Sequence, residues 1–141
     1  MPKGTFIEYD LLESAAYRQL TATARDVFHR FLKKRQLKKR KGSKKNEWIV
    51  ANNGEIIFPY SEAEKMEISR ATFARCLDSL IECGFIDIEH SGGGGPGKDV
   101  SLYGLSERWR KHGTPEFEKR VRPKDTRQGE ALERYHREKK R

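Results

Sequence analysis

The stretch that most constrains the fold of this chain is residues 69–84, which carries helix signals at both ends. Ser69 is a favourable N-cap because its hydroxyl can accept a hydrogen bond from a backbone N–H of the first turn, and Gly84 suits the left-handed residue that ends a helix. Between them, apolar residues recur at i, i+4, i+7 and i+8, which forms one stripe at about 100° per residue. They are Phe73, Leu77, Leu80 and Ile81. We expect this stripe to face a core.

The opposite side of this predicted helix carries side chains that can donate hydrogen bonds. Ser69 and Arg70 stand at its N-terminal tip, and Thr72, Arg75 and Ser79 lie away from the apolar stripe. The pattern therefore indicates a face that is open to a partner.

The segments on either side of residues 69–84 predict a second helix and a hairpin. The shorter helix starts after Pro59, with Ser61 as its candidate cap, and ends one tight turn before Ser69. Residues 85–90 alternate as a half-buried strand, residues 91–97 are mostly glycine, and apolar residues alternate again up to residue 105. The glycines lead into a strand and not into a helix, so we expect a flexible hairpin tip and not a phosphate-binding loop.

This order of elements resembles the winged-helix branch of helix-turn-helix DNA-binding proteins. The residues Ile68-Ser69-Arg70-Ala71-Thr72-Phe73, followed by Leu77, Leu80 and Gly84-Phe85-Ile86, look like the run Ser-x-x-Thr-Φ…Leu…Leu…Gly-Φ-Ile of GntR-like and MarR-like regulators. The resemblance covers residues 56–105 and implies an α+β fold. That fold is a winged helix-turn-helix with a helical N-terminal half, a small antiparallel sheet and a glycine-tipped wing.

The resemblance also implies a function, namely a transcriptional regulator that binds double-stranded DNA with the 69–83 helix in the major groove. Arginine can donate two hydrogen bonds to guanine, so Arg70 and Arg75 are expected to read bases. The expected DNA-contacting residues of the helix and the wing are Ser69, Arg70, Thr72, Arg75, Ser79 and Lys98.

Two other interpretations stay open. A plasmid or phage replication-initiation or maintenance factor uses the same scaffold, and so does an RNA-binding or protein-docking module. The docking interpretation is favoured by Glu62, Glu64 and Glu67, because their carboxylates would face DNA phosphates unfavourably.

The net charge of +9 is placed unevenly along the chain. Residues 33–45 hold nine Lys or Arg and no acid, and residues 106–141 hold thirteen against seven acids, so the remainder carries −6. Like charges this dense repel one another, so we expect residues 33–46 to form a flexible loop that contacts phosphates without reading sequence. Its contacting residues are expected to be Lys38, Lys39, Arg40 and Lys41.

A tight hairpin is predicted after this basic loop. Residues 47–51 and 55–58 are its expected strands, and Asn52-Asn53-Gly54 is its turn, because Asn-Gly favours positive φ angles. Trp48 and Phe58 are expected to be sheet and core residues.

The N-terminal part is predicted to be helical after an extended arm. The expected anchors of the arm are Phe6, Ile7 and Tyr9. A first helix is expected from residue 10 or 11 to residue 20, with an apolar side made of Leu12, Ala15, Ala16 and Leu20. A second helix, capped by Thr21 or Thr23, is expected over residues 22–34 with the core stripe Val27, Phe28, Phe31 and Leu32.

The C-terminal part is predicted to close the domain and then to leave it. Residues 105–113 carry a capping Ser106, the apolar anchor Trp109 and a terminal Gly113, which indicates a short closing helix. The domain is therefore expected to span residues 1–113. Residues 114–141 have few apolar side chains, so we expect a basic, mobile tail that is available to a protein partner. If the protein forms a homodimer, the N-terminal helices are the expected contact.

Residue types that carry catalytic or metal chemistry are sparse in this chain. Cys76 and Cys83 lie about 10 Å apart along one helix, which is too far for a disulfide. Four scattered histidines form no ligand set. We therefore expect no enzyme activity, no metal and no cofactor. No apolar run approaches the roughly 18 residues of a membrane span, so we expect a cytoplasmic protein with no membrane partner.

Overall fold

The computed structural model describes residues 3–42, 47–92 and 100–123. Over these residues the chain is a mixed α+β structure of short and long helices with two antiparallel two-stranded sheets. In chain order the elements are α1 (Tyr9–Glu13), α2 (Ala15–Gln19), α3 (Ala22–Lys34), β1 (Leu37–Lys39), β2 (Trp48–Val50), α4 (Tyr60–Lys65), α5 (Arg70–Cys83), β3 (Ile86–His90), β4 (Leu102–Leu105) and a closing 3₁₀ helix (Arg108–Lys111).

Helix α5 has the bounds that its end signals predict. Ser69 is its N-cap, and the Ser69 Oγ accepts from the backbone N–H of Thr72 at 3.2 Å. Gly84 has φ 90° and ψ 20°, the left-handed conformation that ends the helix. Each residue of the predicted stripe is at most 1 % exposed, and the helix packs mainly against α3. The prediction of one buried face is therefore confirmed.

Helix α3 is confirmed as well, and it supplies one wall of an aromatic core. The Oγ1 of Thr21 accepts from the backbone N–H of Ala24 at 3.1 Å, which caps the helix. The ring of Phe31 lies 5.1 Å from that of Phe58 and 5.3 Å from that of Tyr103, measured between centroids. The buried residues of α3 are Ala24, Val27, Phe28, Phe31 and Leu32. The core thus joins the N-terminal half to the C-terminal hairpin.

The single helix expected at the N-terminal end is two helices, because Ser14 interrupts it. Ser14 has φ −68° and ψ 147°, and its Oγ donates to the Leu11 carbonyl at 2.7 Å and accepts from the Tyr17 N–H at 3.1 Å. This serine therefore ends α1 and caps α2. Leu12 and Ala15, expected on the apolar side, are exposed. The buried residues here are Leu11 in α1, Ala16 in α2 and Leu20, the C-cap of α2.

Two more local expectations are wrong. Of the three arm anchors, only Ile7 packs against the core, while Phe6 and Tyr9 are 74 % and 82 % exposed. The N-cap of α4 is Pro59 and not Ser61, which lies inside the helix.

Strand β2 pairs with β1 and not with residues 55–58. The register of this β1–β2 ribbon places Leu37 opposite Val50, Lys38 opposite Ile49 and Lys39 opposite Trp48. Part of the segment expected to be a flexible basic loop is therefore a strand, and its first residues complete α3. Residues 43–46 lie outside the described residues.

Burial explains why residues 55–58 are not available to β2. Ile56 and Phe58 are 2 % and 3 % exposed, so the core takes both side chains. Ile56 forms an isolated antiparallel bridge with Tyr103 of β4. Gly54 does have the positive φ expected of it, 84°. Phe58 is thus confirmed as a core residue, whereas Trp48 lies in a strand but is 57 % exposed.

Hydrogen bonds made by the side chains of Asn52 and Asn53 connect the ribbon to the rest of the domain. The Asn52 Oδ1 accepts from the Gln36 N–H at 2.8 Å, and its Nδ2 donates to the Lys34 carbonyl at 3.0 Å, where α3 ends. The Asn53 Oδ1 accepts from the Leu105 N–H at 2.6 Å, and its Nδ2 donates to the Leu105 carbonyl at 3.3 Å. The two asparagines therefore connect α3, the ribbon and β4.

The C-terminal part contains the expected hairpin and buried Trp109, but its closing helix is a 3₁₀ helix with Glu107, and not Ser106, at the N-cap position. Strands β3 and β4 form the predicted hairpin, and Trp109 in the 3₁₀ helix is 5 % exposed. The backbone N–H of Trp109 donates to the Gly84 carbonyl at 3.1 Å. A Cβ at Gly84 would lie 2.6 Å from that nitrogen, so this position needs glycine for space as well as for its φ. Residues 93–99, the glycine tip with Lys98, lie outside the described residues.

The chain keeps contact with the domain past residue 113. Arg120 pairs with Asp87 at 3.4 Å, and Arg122 pairs with Asp78 of α5 at 2.9 Å. The rest of the predicted tail, residues 124–141, lies outside the described residues.

Candidate nucleic-acid interface

Four of the residues predicted to contact DNA lie at the N-cap and in the first two turns of α5. Ser69 Oγ donates to Thr72 Oγ1 at 2.9 Å, and an Nη of Arg75 donates to the same Thr72 oxygen at 3.3 Å. Ser69, Arg70 and Arg75 are exposed, and Thr72 is half-buried. Hydrogen bonds therefore link Ser69, Thr72 and Arg75, and Arg70 follows Ser69 at the start of the helix with its own guanidinium exposed.

Arg70 is held by a carboxylate from the preceding helix. Its Nε donates to Glu64 Oε1 at 2.7 Å, while 73 % of the arginine side chain stays exposed. The hydrogen bond that Arg70 donates to Glu64, and then the charge of that carboxylate, raise the pKa of Arg70. The ion pair with Glu64 therefore joins the Arg70 guanidinium to α4 across the turn that precedes α5.

Ser79 lies further along α5 and is half-buried. The residue before it, Asp78, pairs with Arg122, whose Nη1 also lies 3.2 Å from the Tyr60 hydroxyl. The C-terminal half of α5 is thus contacted by the segment that follows the domain, and the surface open to a partner is centred on the first turns of the helix.

The acidic side chains of α4 are partly neutralised. Glu62 pairs with Lys34 at 2.6 Å, and Glu64 pairs with Arg70. Glu67 lies in the turn before α5 with φ 63°, the one non-glycine residue with positive φ among the described residues. No sequence pattern indicated the two ion pairs, because the cations that pair with Glu62 and Glu64 lie on other elements.

The basic residues expected to contact phosphates lie on the β1–β2 ribbon. Lys38 and Lys39 are in β1, Arg40 and Lys41 follow it, and all four are exposed. The Arg40 N–H donates to the Glu47 carbonyl at 2.9 Å, and the Arg40 Nη1 lies 3.4 Å from the Glu47 carboxylate. The structure therefore presents these cations on a hydrogen-bonded ribbon, apart from the arginines of α5 in the sequence.

The two cysteines of α5 are free and buried, and burial raises the pKa of both thiols. Within residues 3–42, 47–92 and 100–123, no group of three or more histidine, cysteine or acidic side chains is arranged to hold a metal ion. In the same residues, no helix combines the length and the apolar character needed to cross a membrane.

In comparisons with known proteins, no family profile, no curated protein and no solved structure matches this chain.

Proposed function

We propose that this protein is a winged-helix protein that binds double-stranded DNA, with α5 in the major groove. The observation that carries the proposal is the exposed surface on the first turns of α5, where Arg70 and Arg75 project from a helix whose other face is buried. A helix of this kind can enter the major groove, and arginine can read guanine there.

The arrangement around α5 supports the same proposal. Helices α4 and α5 follow one another through a tight turn, and the β3–β4 hairpin comes directly after them. The bridge from Ile56 to Tyr103 adds a third extended segment beside that hairpin. In this proposal the hairpin is the wing, and the cations of the β1–β2 ribbon add contacts to phosphates.

The acidic residues of α4 are the feature that favours a docking module instead. Lys34 and Arg70 neutralise Glu62 and Glu64 in the free protein, which weakens the objection that α4 would repel the DNA backbone. A regulator and a replication-initiation factor would place α5 in the same groove, so the experiment below applies to both.

The test is selection from a random-sequence duplex pool, followed by affinity measurements on the enriched motif over a salt series. The variant is Arg70→Ala/Arg75→Ala, and the matched control is Arg18→Ala/Arg30→Ala, which removes two exposed arginines from α2 and α3. Each bidentate contact favours the correct base over a wrong one by about 5-fold to 150-fold in affinity. The α5 variant should therefore no longer enrich the motif.

The control should keep the motif and change only the non-specific affinity. Equal losses in the two variants, or no enriched motif in the wild type, would show that α5 does not read DNA.

A further inference from the structure

The β1–β2 ribbon holds a large aromatic side chain in solvent. Trp48 is 57 % exposed, and its neighbours Leu37 and Ile49 are 47 % and 39 % exposed. The other tryptophan, Trp109, is 5 % exposed. Tryptophan is usually highly buried, because its ring offers a large apolar area. The strand thus displays an indole ring that the core does not use.

The register of the ribbon puts this ring beside a cation. Residues opposite one another on antiparallel strands share a face, and so do residues two apart on one strand. Lys39 lies opposite Trp48, and its Nζ is 5.9 Å from the centroid of a Trp48 ring. Leu37 and Val50 complete the same face. This face therefore combines an exposed ring, apolar neighbours and a positive charge.

The charge of the surrounding segment specifies the kind of partner. Residues 37–54 contain six Lys or Arg and a single acid, Glu47. That acid is paired with Arg40 at 3.4 Å. The segment is thus complementary to a polyanion, and an exposed ring among cations is the arrangement with which proteins bind single-stranded nucleic acids.

We propose that the face formed by Leu37, Lys39, Trp48 and Val50 binds a single-stranded nucleic acid, with an unpaired base stacked on Trp48 and phosphates beside Lys39. A duplex can offer phosphates to Lys39 but no base to stack on Trp48, because its bases are stacked on one another and offer only their edges. The inference goes beyond the proposed function, since the ribbon is separate from α5 in the chain and its binding needs no contact from that helix.

The experiment compares three labelled oligomers of about twelve units, a length within or near single-strand site sizes. They are oligothymidine, oligouridine and an abasic phosphodiester of equal charge, and binding is followed by fluorescence anisotropy at one salt concentration. The variants are Trp48→Ala and Trp48→Phe, and the matched control is Ile49→Ala on the other face of the ribbon. The emission of the buried Trp109 verifies that each variant is folded.

Stacking predicts that wild type binds the base-bearing oligomers more tightly than the abasic one. Trp48→Ala should lower the affinity for the base-bearing oligomers by about 5-fold to 150-fold, because this is the contribution of one base stacked on an aromatic ring. The affinity for the abasic oligomer should not change. Trp48→Phe should retain most of the affinity, and Ile49→Ala nearly all of it. Tighter binding of oligothymidine would indicate single-stranded DNA as the partner, and tighter binding of oligouridine would indicate RNA.

The inference is overturned if the abasic oligomer binds as tightly as oligothymidine, or if Trp48→Ala and Ile49→Ala have the same effect. The Arg70→Ala/Arg75→Ala variant separates this result from the proposed function. If this variant still binds oligothymidine, the ribbon is a site independent of α5, whether or not duplex recognition is lost. If this variant no longer binds oligothymidine, the inference is overturned.

Discussion

Glu67 is the residue on which the turn between α4 and α5 depends. The backbone N–H of Glu67 donates to the Glu64 carbonyl at 3.0 Å, and that of Ile68 donates to the Ala63 carbonyl at 3.0 Å. This pair of bonds is a Schellman motif, which requires a left-handed residue after the helix. Gly84 occupies the equivalent position after α5, but here the residue is a glutamate with φ 63°. Its Cβ makes that conformation costly.

Glu67→Gly should therefore stabilise the protein by about 0.5–1 kcal/mol, because glycine adopts positive φ without a clash, although it also loses more chain entropy on folding. The measurement is urea unfolding with an unchanged m-value. Glu67→Ala is the matched control, since it removes the carboxylate and keeps the Cβ. If alanine stabilises the protein as much as glycine, charge and not backbone conformation is the cause.

At the scale of elements, α4 and α5 are coupled through Glu64 and Arg70. The arginine that is expected to contact DNA already donates to a carboxylate 2.7 Å away, so binding must replace or share that hydrogen bond. The pair is exposed, and exposed ion pairs are weak, so the competition is modest.

Glu64→Gln should raise the affinity for the enriched duplex by about 2-fold to 5-fold, because it frees the guanidinium and removes a negative charge near the phosphates. Glu62→Gln is the matched control, since Glu62 pairs with Lys34 on α3 instead. Dissociation constants at fixed ionic strength test this. A lower affinity in Glu64→Gln would mean that Glu64 positions Arg70 for binding.

At the scale of the whole molecule, Arg108 joins the C-terminal end of α5 to the hairpin and to the segment that follows. Its guanidinium lies 2.7 Å from the Asp87 carboxylate and donates to the carbonyls of Ile81 at 2.9 Å, Ile86 at 3.1 Å and Glu118 at 2.9 Å. The side chains of the pair are only 9 % and 16 % exposed. This contact is therefore far less screened than the surface pairs.

Arg108→Ala should destabilise the protein by about 2–4 kcal/mol, because it removes the closest partner of Asp87, leaving Arg120 at 3.4 Å, and a donor to three carbonyl groups in a mostly buried place. Arg108→Lys should lose less of the free energy of unfolding than Arg108→Ala but still be less stable than wild type, since lysine keeps the charge and lacks the planar guanidinium. Arg110→Ala, which removes a more exposed arginine paired with Glu8 and Glu107, should cost about 1 kcal/mol at most. Urea unfolding compares the three variants, and equal losses for Arg108 and Arg110 would contradict this role.

The candidate site was predictable in its side chains but not in their partners. Ser69, Thr72 and Arg75 are three residues apart in turn, so helical geometry alone places them side by side. The pairing of Arg70 with Glu64 depends on the angle at which the turn directs α5, which no local pattern specifies. Trp48 shows the same limit, because a short apolar run such as Trp48-Ile49-Val50 fits a buried strand or a solvent-exposed ribbon equally well.

The sequence by itself determined the bounds of α3 and α5, the cap at Ser69 and the left-handed glycine at residue 84. These signals act through hydrogen bonds and side-chain spacings within about one helical turn, so they do not depend on the rest of the chain. Only the tertiary structure decided that β2 pairs with β1, that Trp48 is exposed and that Arg108 meets Asp87. Such contacts depend on which distant segments bury their side chains in the same core. Because Ile56 and Phe58 are buried there, their segment does not pair with β2, and β2 pairs with the basic strand β1.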